Sequence, residues 1–473
     1  MSDLWNSEAM VEAMGGRPLG RLPDGVGGIS IDTRTLSRGD AFFAIKGERL
    51  DGHDFATAAH VAGAGLLVVS EAKLPALGRL SVPMIVVPDV LAALEKLGQA
   101  ARARSRAKII AVTGSAGKTT TKEALRHVLS GVGRVHASDK SFNNHWGVPL
   151  TLARMPADCD YAVFEIGMNH PGEIRPLVKL VRPHIAIVTL IAAAHLGYFK
   201  DLAGIARAKA EIFEGVVPGG AALINRDDAH FALLQKLARA AGVKKIRGFG
   251  EDPRSDYRLE SCELGATASR ISANIAGREI EAEIGVPGRH MVQNMLAVLG
   301  AAHLAGADLD KVAAALGGLS AERGRGLRLR LTHPKGEFAL IDESYNANPA
   351  SMQAAIKLLD AADVENGGRR IAVLGDMLEL GQHSQELHSA LADVIADTRT
   401  DIVLLAGKEM KALAEKLPQG MRKQHRDNVE EIIPLLLKTV RPGDAVMVKS
   451  SNGLGFSRLV DALVRHYPAA SHK

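Results

Sequence analysis

Short apolar runs bounded by glycine and polar turns alternate along this chain with stretches whose apolar positions recur every three or four residues. The runs read as strands buried on both faces, and the recurrent stretches as amphipathic helices. In the first hundred or so residues Ala41–Ile45, Leu66–Val69 and Met84–Val87 are such runs, and Ile29–Arg34 alternates as a strand edge would. Helical spacing covers Phe55–Ala64 and Leu91–Arg104. The pattern restarts near Lys108 with Ile109–Val112, a helix over Thr120–Leu129, and strands at Ala162–Ile166, Ile185–Thr189 and Ala221–Ile224. Arg258–Val286 alternates like an antiparallel excursion, and Met291–Ala305 is helical. After a glycine- and arginine-rich joint, Gly317–Gly326, strand and helix alternate again: Phe338–Ile341, Ser351–Ala361, Ile371–Leu374, Glu386–Ala396, Ile402–Ala406 and Ala445–Val448. The expectation is an α/β protein of three domains, over residues 1–105, 106–320 and 321–473. The central one carries a mostly parallel sheet. The last is Rossmann-like in order, but no G-x-G-x-x-G follows its first strand, so no bound dinucleotide is expected.

Composition narrows the class. The chain has 473 residues, 47% hydrophobic and only 4% aromatic, with a net charge of +5. Scarce aromatics and mild charge argue against a nucleic-acid surface. The cluster Arg102, Arg104, Arg106 and Lys108 reads as a solvated helix end. Cys159 and Cys262 lack any partner spacing, which suits a reducing compartment. The N-terminal stretch from Met1 to Trp5 has no basic and apolar leader, and no apolar run approaches the roughly 20 residues of a membrane span. A cytoplasmic protein without membrane attachment is expected.

The strongest chemical signal is Thr113-Gly114-Ser115-Ala116-Gly117-Lys118-Thr119-Thr120, between an apolar run and a helix start. Gly114 and Gly117 let backbone N–H groups converge on an anion at a helix N-terminus. Lys118 would reach the outer phosphates and the Thr119 hydroxyl would meet magnesium. Val112 stands where the general motif has its first glycine, so this is a shorter variant.

Other candidates are weaker alone. Glu165 ends a strand, where a magnesium ligand belongs in an open α/β sheet, or an edge carboxylate is merely solvated. His195 in Ala194-His195-Leu196-Gly197 reads more simply as a loop hydrogen-bonder, and Lys209 as a surface lysine. Asn225-Arg226-Asp227-Asp228 looks superficially like a guanine-reading element, without the Asp-x-x-Gly that would support it. Asp342, Tyr345, Asn346 and Asn348 crowd the end of the third domain's first strand. A turn and helix start explain Asn348-Pro349 and Ser351, but not the tyrosine and its polar neighbours.

Taken in order, these segments closely resemble the Mur ligases, ATP-dependent enzymes of cell-wall precursor synthesis. The resemblance adds Asp32-Thr33-Arg34, Asn143-Asn144-His145, Gly167-Met168-Asn169-His170-Pro171-Gly172-Glu173, Gly288-Arg289-His290-Met291-Val292-Gln293-Asn294, Tyr345-Asn346-Ala347-Asn348-Pro349 and Gly375-Asp376-Met377-Leu378-Glu379-Leu380-Gly381. Several of these are like the branch that adds D-alanyl-D-alanine. The resemblance implies that ATP activates the terminal carboxylate of a UDP-N-acetylmuramoyl-tripeptide as an acyl phosphate, which the amine of D-alanyl-D-alanine attacks. It implies two magnesium ions, one on Thr119 and Glu165, another on Glu165, His195 and a carbamylated Lys209. It gives Lys118, Glu165, His195 and Lys209 catalytic roles. It places ATP on residues 114–120, Asn294, Arg325, Asp342, Tyr345 and Asn346, with Arg323 the alternative to Arg325 as the phosphate contact. Ser30, Thr33, Arg34, Asn143, Asn144 and His145 match positions near the UDP-sugar, which the first domain would select. The third domain would bring the dipeptide, with Gly317–Gly326 as hinge. A monomer is expected. The competing readings are another amide ligase of the superfamily, such as a folate-type glutamate ligase, and a nucleotide-binding regulator without turnover.

Overall fold

The computed structural model describes residues 3–78, 80–139, 141–365 and 367–469; Met1 and Ser2 of the N-terminal stretch lie outside them. Three large sheets organise the chain, beside a two-stranded pairing of Trp5–Asn6 with Gly25–Val26. The first has five strands in the spatial order Arg17–Leu19, Met84–Val87, Leu66–Ser70, Ala41–Phe43 and Ile29–Ser30, the leading one antiparallel and the rest parallel. The alternation expected through Arg34 stops at Ser30. The Asp32 carboxylate accepts from the Arg34 N–H at 3.0 Å, and the Thr35 N–H reaches the Asp32 carbonyl at 3.1 Å, which turns the chain.

The central sheet has nine strands. Lys245–Gly250, Ala221–Asn225, Ile185–Val188, Lys108–Thr113, Tyr161–Glu165 and Val135–Ala137 run parallel, with Lys108–Thr113 between Ile185–Val188 and Tyr161–Glu165. The antiparallel excursion extends the same sheet as a meander of Tyr257–Leu264, Ser269–Ile275 and Arg278–Ile284. The helix Arg289–Ala305 buries Met295, Leu296, Val298 and Leu299 in a core shared with Ile110, Val112 and Val128. That packing sets Asn294 beside the phosphate loop.

The third sheet has six strands in the order Leu327–His333, Gly336–Glu343, Ala445–Lys449, Arg370–Gly375, Ile402–Ala406 and Arg422–Arg426. Asp342 therefore lies on the domain's second strand, not its first. The first is the antiparallel partner Leu327–His333, whose Leu-Arg alternation follows directly on the joint. The other pairings are parallel. The strand Ala445–Lys449 enters late in the chain but sits between Gly336–Glu343 and Arg370–Gly375. Their outgoing helices cover one face and the helix after Ala445–Lys449 covers the other. This is a switch point, where an open sheet leaves a crevice at its carboxyl edge.

The basic cluster is only in part a solvated helix end: Arg106 and Lys108 are exposed, but Arg102 and Arg104 are not. Arg102 is buried and donates to the carbonyls of Val181 (2.8 Å) and Arg182 (2.9 Å). Arg104 donates to the Leu4 carbonyl at 3.0 Å and stacks 3.5 Å over the Trp5 ring. Trp5 in turn donates to the Ala153 carbonyl at 2.7 Å. Both arginines stitch the N-terminal sheet to the central one. Arg102→Ala strips two carbonyls of their donor and should cost about 1–3 kcal/mol, read as a lowered urea midpoint with unchanged helix content. No helix among the described residues is long and apolar enough to cross a membrane.

Candidate active site

The phosphate loop bridges the central strand Lys108–Thr113 and the helix Lys118–Ser130, so that helix N-terminus faces the carboxyl edge of the sheet. Gly117 has φ +82°, and a Cβ there would lie 2.5 Å from Asn294 Oδ1; only glycine serves. The loop is held from behind. Ser115 N donates to the Leu190 carbonyl at 2.7 Å, Ser115 Oγ to Ala192 at 2.9 Å, and Thr189 Oγ1 to the Ala116 carbonyl at 2.6 Å. Lys118 Nζ folds back on the Gly114 carbonyl at 2.8 Å. Burial pulls its pKa down, opposed by Glu165 and aided by Arg325.

Glu165 is 1% exposed at the end of its strand. Its two oxygens are separately held, Oε2 by the Thr119 hydroxyl at 2.8 Å and Oε1 by Asn143 Nδ2 at 2.7 Å. Asn143, expected near the UDP-sugar, thus stands at the phosphate loop. Asn144 instead accepts from Gly147 N at 2.9 Å, starting the helix Gly147–Ala153.

These groups line a cavity of about 670 Å³ between the central and C-terminal sheets. One wall carries Ser115–Thr120, Asn143, Glu165, His195 and Asn294; the other carries Arg325, Tyr345, Asn346, Asn348, Glu379, Lys449 and Ser451. The second wall is the switch-point crevice of the C-terminal sheet. The walls touch through Asn348 Nδ2 to the Ser115 carbonyl (3.3 Å), and through Ser141 Oγ, which receives both Tyr345 Oη (3.1 Å) and Arg325 (3.3 Å). The Arg325 guanidinium lies 4.2 Å over the Tyr345 ring. Arg323 does not line this cavity and pairs with Asp461; it lines the neighbouring one. A second cavity of about 570 Å³ shares Thr119, Ser141, Arg325 and Tyr345 with the first and adds Glu123, Arg126 and Asp139.

Other expected site residues sit differently. Asp342 is 0% exposed and does not line the cavity; its carboxylate accepts from Gly324 N (2.9 Å) and from Ser344 N (3.1 Å) and Oγ (2.6 Å), bracing the Arg325 loop. Asn348 caps the helix Pro349–Asp360 in a reciprocal box with Ser351, as the turn reading requires. Ser30, Thr33, Arg34 and His145 are outside the cavity, with Arg34 paired to Asp32 at 2.6 Å. Asp228 accepts from Ile191 N at 2.6 Å and steadies the loop after Thr189, a structural use of the segment that looked guanine-specific.

Lys209 is not a surface lysine. It is 1% exposed near the end of the helix Leu202–Ala210, flanked by buried Ala208 and Ala210. Burial, and then repulsion from Lys118, push its pKa well below the ordinary lysine range. No carboxylate among the described residues pairs with it. His195 donates from its ring to Glu379, whose carboxyl that bond holds below its usual value. Glu379, Ser141 and the cavity-lining His290 lie in or beside segments that carry the family resemblance, but none is assigned a role there; Glu379 and Ser141 acquire a site position through partners far away in the chain.

Comparisons with known proteins agree along the length. Residues 25–102 match the model described as Mur ligase family, catalytic domain; 112–302 match the Mur ligase middle domain; 327–452 match the Mur ligase, glutamate ligase domain. The chain is 35% identical to a UDP-N-acetylmuramoyl-tripeptide–D-alanyl-D-alanine ligase of Escherichia coli, over 92% of this chain and 93% of that one. It is 33% identical to the Bacillus subtilis ligase of the same name, over 92% and 93%. Among solved structures, MurF from Acinetobacter baumannii superimposes with a TM-score of 0.84 at 30% identity, covering 98% and 99%. A MurF ligase from Thermotoga maritima, solved with ADP, shares the fold at 24% identity and a TM-score of 0.76, over 93% and 97%.

Proposed function

The chain belongs to the Mur ligase family, and from that premise we infer that it is the ATP-dependent ligase that joins D-alanyl-D-alanine to UDP-N-acetylmuramoyl-tripeptide in peptidoglycan synthesis. The observation that carries this reading is a phosphate loop facing, across one cavity, the switch-point crevice of a Rossmann-like domain that lacks a dinucleotide fingerprint. A triphosphate is held on one wall, and the other wall is free for a small second substrate.

The reaction sets the demands. A carboxylate oxygen of the tripeptide attacks the γ-phosphorus of ATP, the bond to the β-phosphate oxygen breaks, and ADP leaves. The amine of the dipeptide then adds to the acyl carbon and loses a proton to solvent, and the tetrahedral adduct expels phosphate. Anionic groups must meet in line, so cations and alignment dominate. Lys118 and the amides of residues 114–120 hold the phosphates, with Thr120 and Ala116 in that backbone cradle and Asn294 beside it. Arg325, stacked on Tyr345 and anchored to Ser141, brings positive charge from the other wall, next to Asn346. It stands where the two cavities meet, so the second cavity is a route for the tripeptide carboxylate. Ser30, Thr33, Arg34, Asn144 and His145 remain our candidates for the UDP-sugar end.

The donor set suits magnesium. Thr119 Oγ1 and Glu165 Oε2 are hard oxygens 2.8 Å apart at the loop. A second ion on Glu165, His195 and Lys209 fits only if Lys209 carries oxygen. Its depressed pKa favours the neutral amine, whose lone pair adds to the carbon of CO₂ and releases a proton, leaving a carbamate. Bound magnesium would neutralise phosphate charge and polarise the transferring group. One chain supplies both cavity walls, which supports a monomer. ATP use and the free thiols Cys159 and Cys262 support a cytoplasmic site of action.

The test is ligation. With ATP, magnesium, UDP-N-acetylmuramoyl-tripeptide and D-alanyl-D-alanine, phosphate release should require both the acceptor and the dipeptide. Release that persists without the dipeptide, or that depends on glutamate or a diamino acid as the amine, overturns the reading.

A further inference from the structure

The contact between the loop Ala194–Tyr198 of the central domain and the loop Met377–Gly381 of the C-terminal domain has a use beyond holding the domains together. Among the described residues four non-glycine positions have φ in the left-handed region: Arg182, His195, Ala276 and Glu379. His195 at +59° and Glu379 at +65° face each other across the domain boundary, and their side chains are hydrogen-bonded. Each conformation is strained for a residue with a side chain and persists only where the surroundings enforce it. The surroundings here are the two loops. Gly197 N donates to the Glu379 carbonyl at 2.9 Å, and a Cβ on Gly381 would lie 2.7 Å from the Gly197 Cα. Backbone meets backbone, and the strained pair is the result.

The bond engages His195 at Nδ1. A carboxylate acceptor there keeps the proton on Nδ1, which leaves the lone pair on Nε2. Histidines that bind metal are oriented in this way, by a carboxylate on the ring nitrogen away from the ion. Here the carboxylate comes from a different domain. We propose that Glu379 is a positioning residue supplied by the C-terminal domain, fixing His195 with Nε2 ready for the metal only when the two domains are docked. Closure and completion of the second metal site are then a single event. This rests on the reading of His195 as a metal ligand given above.

The experiment measures Mn²⁺ affinity in the presence of ADP for the full chain and for Glu379→Ala, Glu379→Gln and His195→Ala, with the His195 tautomer read by ¹⁵N NMR. The wild type should show His195 protonated at Nδ1. Glu379→Ala should weaken Mn²⁺ by roughly 10- to 100-fold, and Glu379→Gln, whose amide oxygen still accepts the proton, should retain most of the affinity. His195→Ala losing Mn²⁺ while Glu379→Ala keeps it overturns the proposal and leaves the metal reading standing. Unchanged affinity in His195→Ala overturns the metal reading itself. A loss in Glu379→Gln as large as in Glu379→Ala, or a wild-type ring protonated at Nε2, overturns the proposal irrespective of how the alanine variant folds.

Discussion

Replacing Lys209 with alanine should lower ligase turnover by about 10²–10³-fold and leave ADP affinity close to wild type. The reason is the lysine's setting. It is sealed from solvent, and Lys118 repels any charge it carries. In the proposed second metal site with Glu165 and His195, an ammonium would disfavour the cation, whereas a carbamate would attract it. The phosphate loop takes its shape from Ser115, Thr189 and Leu190, none of which the substitution touches, so nucleotide binding is spared. Alanine also leaves a cavity, and formate or acetate should restore part of the rate by placing a carboxylate in it. Lys209→Met, which fills the space, should be as slow and resist that rescue. Steady-state kinetics with and without added carboxylate check this; full activity in Lys209→Ala removes the carbamate from the mechanism.

Lys118→Ala should be at least as damaging, about 10³-fold in turnover, with ADP binding weakened as well. Its ammonium has no carboxylate partner within ion-pair distance among the described residues and is held on the Gly114 carbonyl, poised for phosphate. Because burial disfavours that charge, its removal should not lower the melting temperature, so stability and activity separate. A second consequence follows from Lys118 depressing Lys209. Burial, the larger cause, still favours the neutral amine when Lys118 is removed, but Lys209 regains the part of its proton affinity that the repulsion took away. The two substitutions should therefore combine to less than the product of their separate effects, and a double-mutant cycle measures the difference.

Much of this architecture can be read from apolar periodicity. The buried parallel strands are short runs of valine, isoleucine and alanine, and the phosphate loop announces itself between such a run and a helix. The strand Leu327–His333 escaped because its arginines and the preceding glycines resemble a joint, although leucine recurs at every second position. The burial of Lys209 and Arg102 escaped for a deeper reason. A long cationic side chain defaults to solvent, and only the packing of a neighbouring domain or helix reverses that default. Asn143 was legible as a site residue, but its position against Glu165 was not, since it depends on where the loop after the strand Val135–Ala137 returns. Pairings such as Ser141 with Tyr345, or His195 with Glu379, span most of a domain or more in sequence. No local pattern encodes them; they exist only once the two sheets are set edge to edge.

The two domain junctions differ in substance. Leu150 and Ala153 of the central domain are buried in the same apolar cluster as Trp5, Met10, Leu94 and Leu97, and Arg154 donates to the Ile29 carbonyl at 2.7 Å. The N-terminal sheet therefore shares a core with its neighbour and cannot open without exposing hydrocarbon. The C-terminal domain meets the central one mostly through hydrogen bonds, stacked glycines and one strained pair, with Leu387 an apolar contact between them. Three sheets thus make two thermodynamic bodies. One is a large cooperative unit carrying the phosphate loop and the N-terminal domain, in which a ligand bound at either end stabilises the whole. The other is a lighter unit, tied to the first, among the described residues, by a single shared apolar side chain, Leu387, which packs against both cores, so its detachment leaves the large body folded.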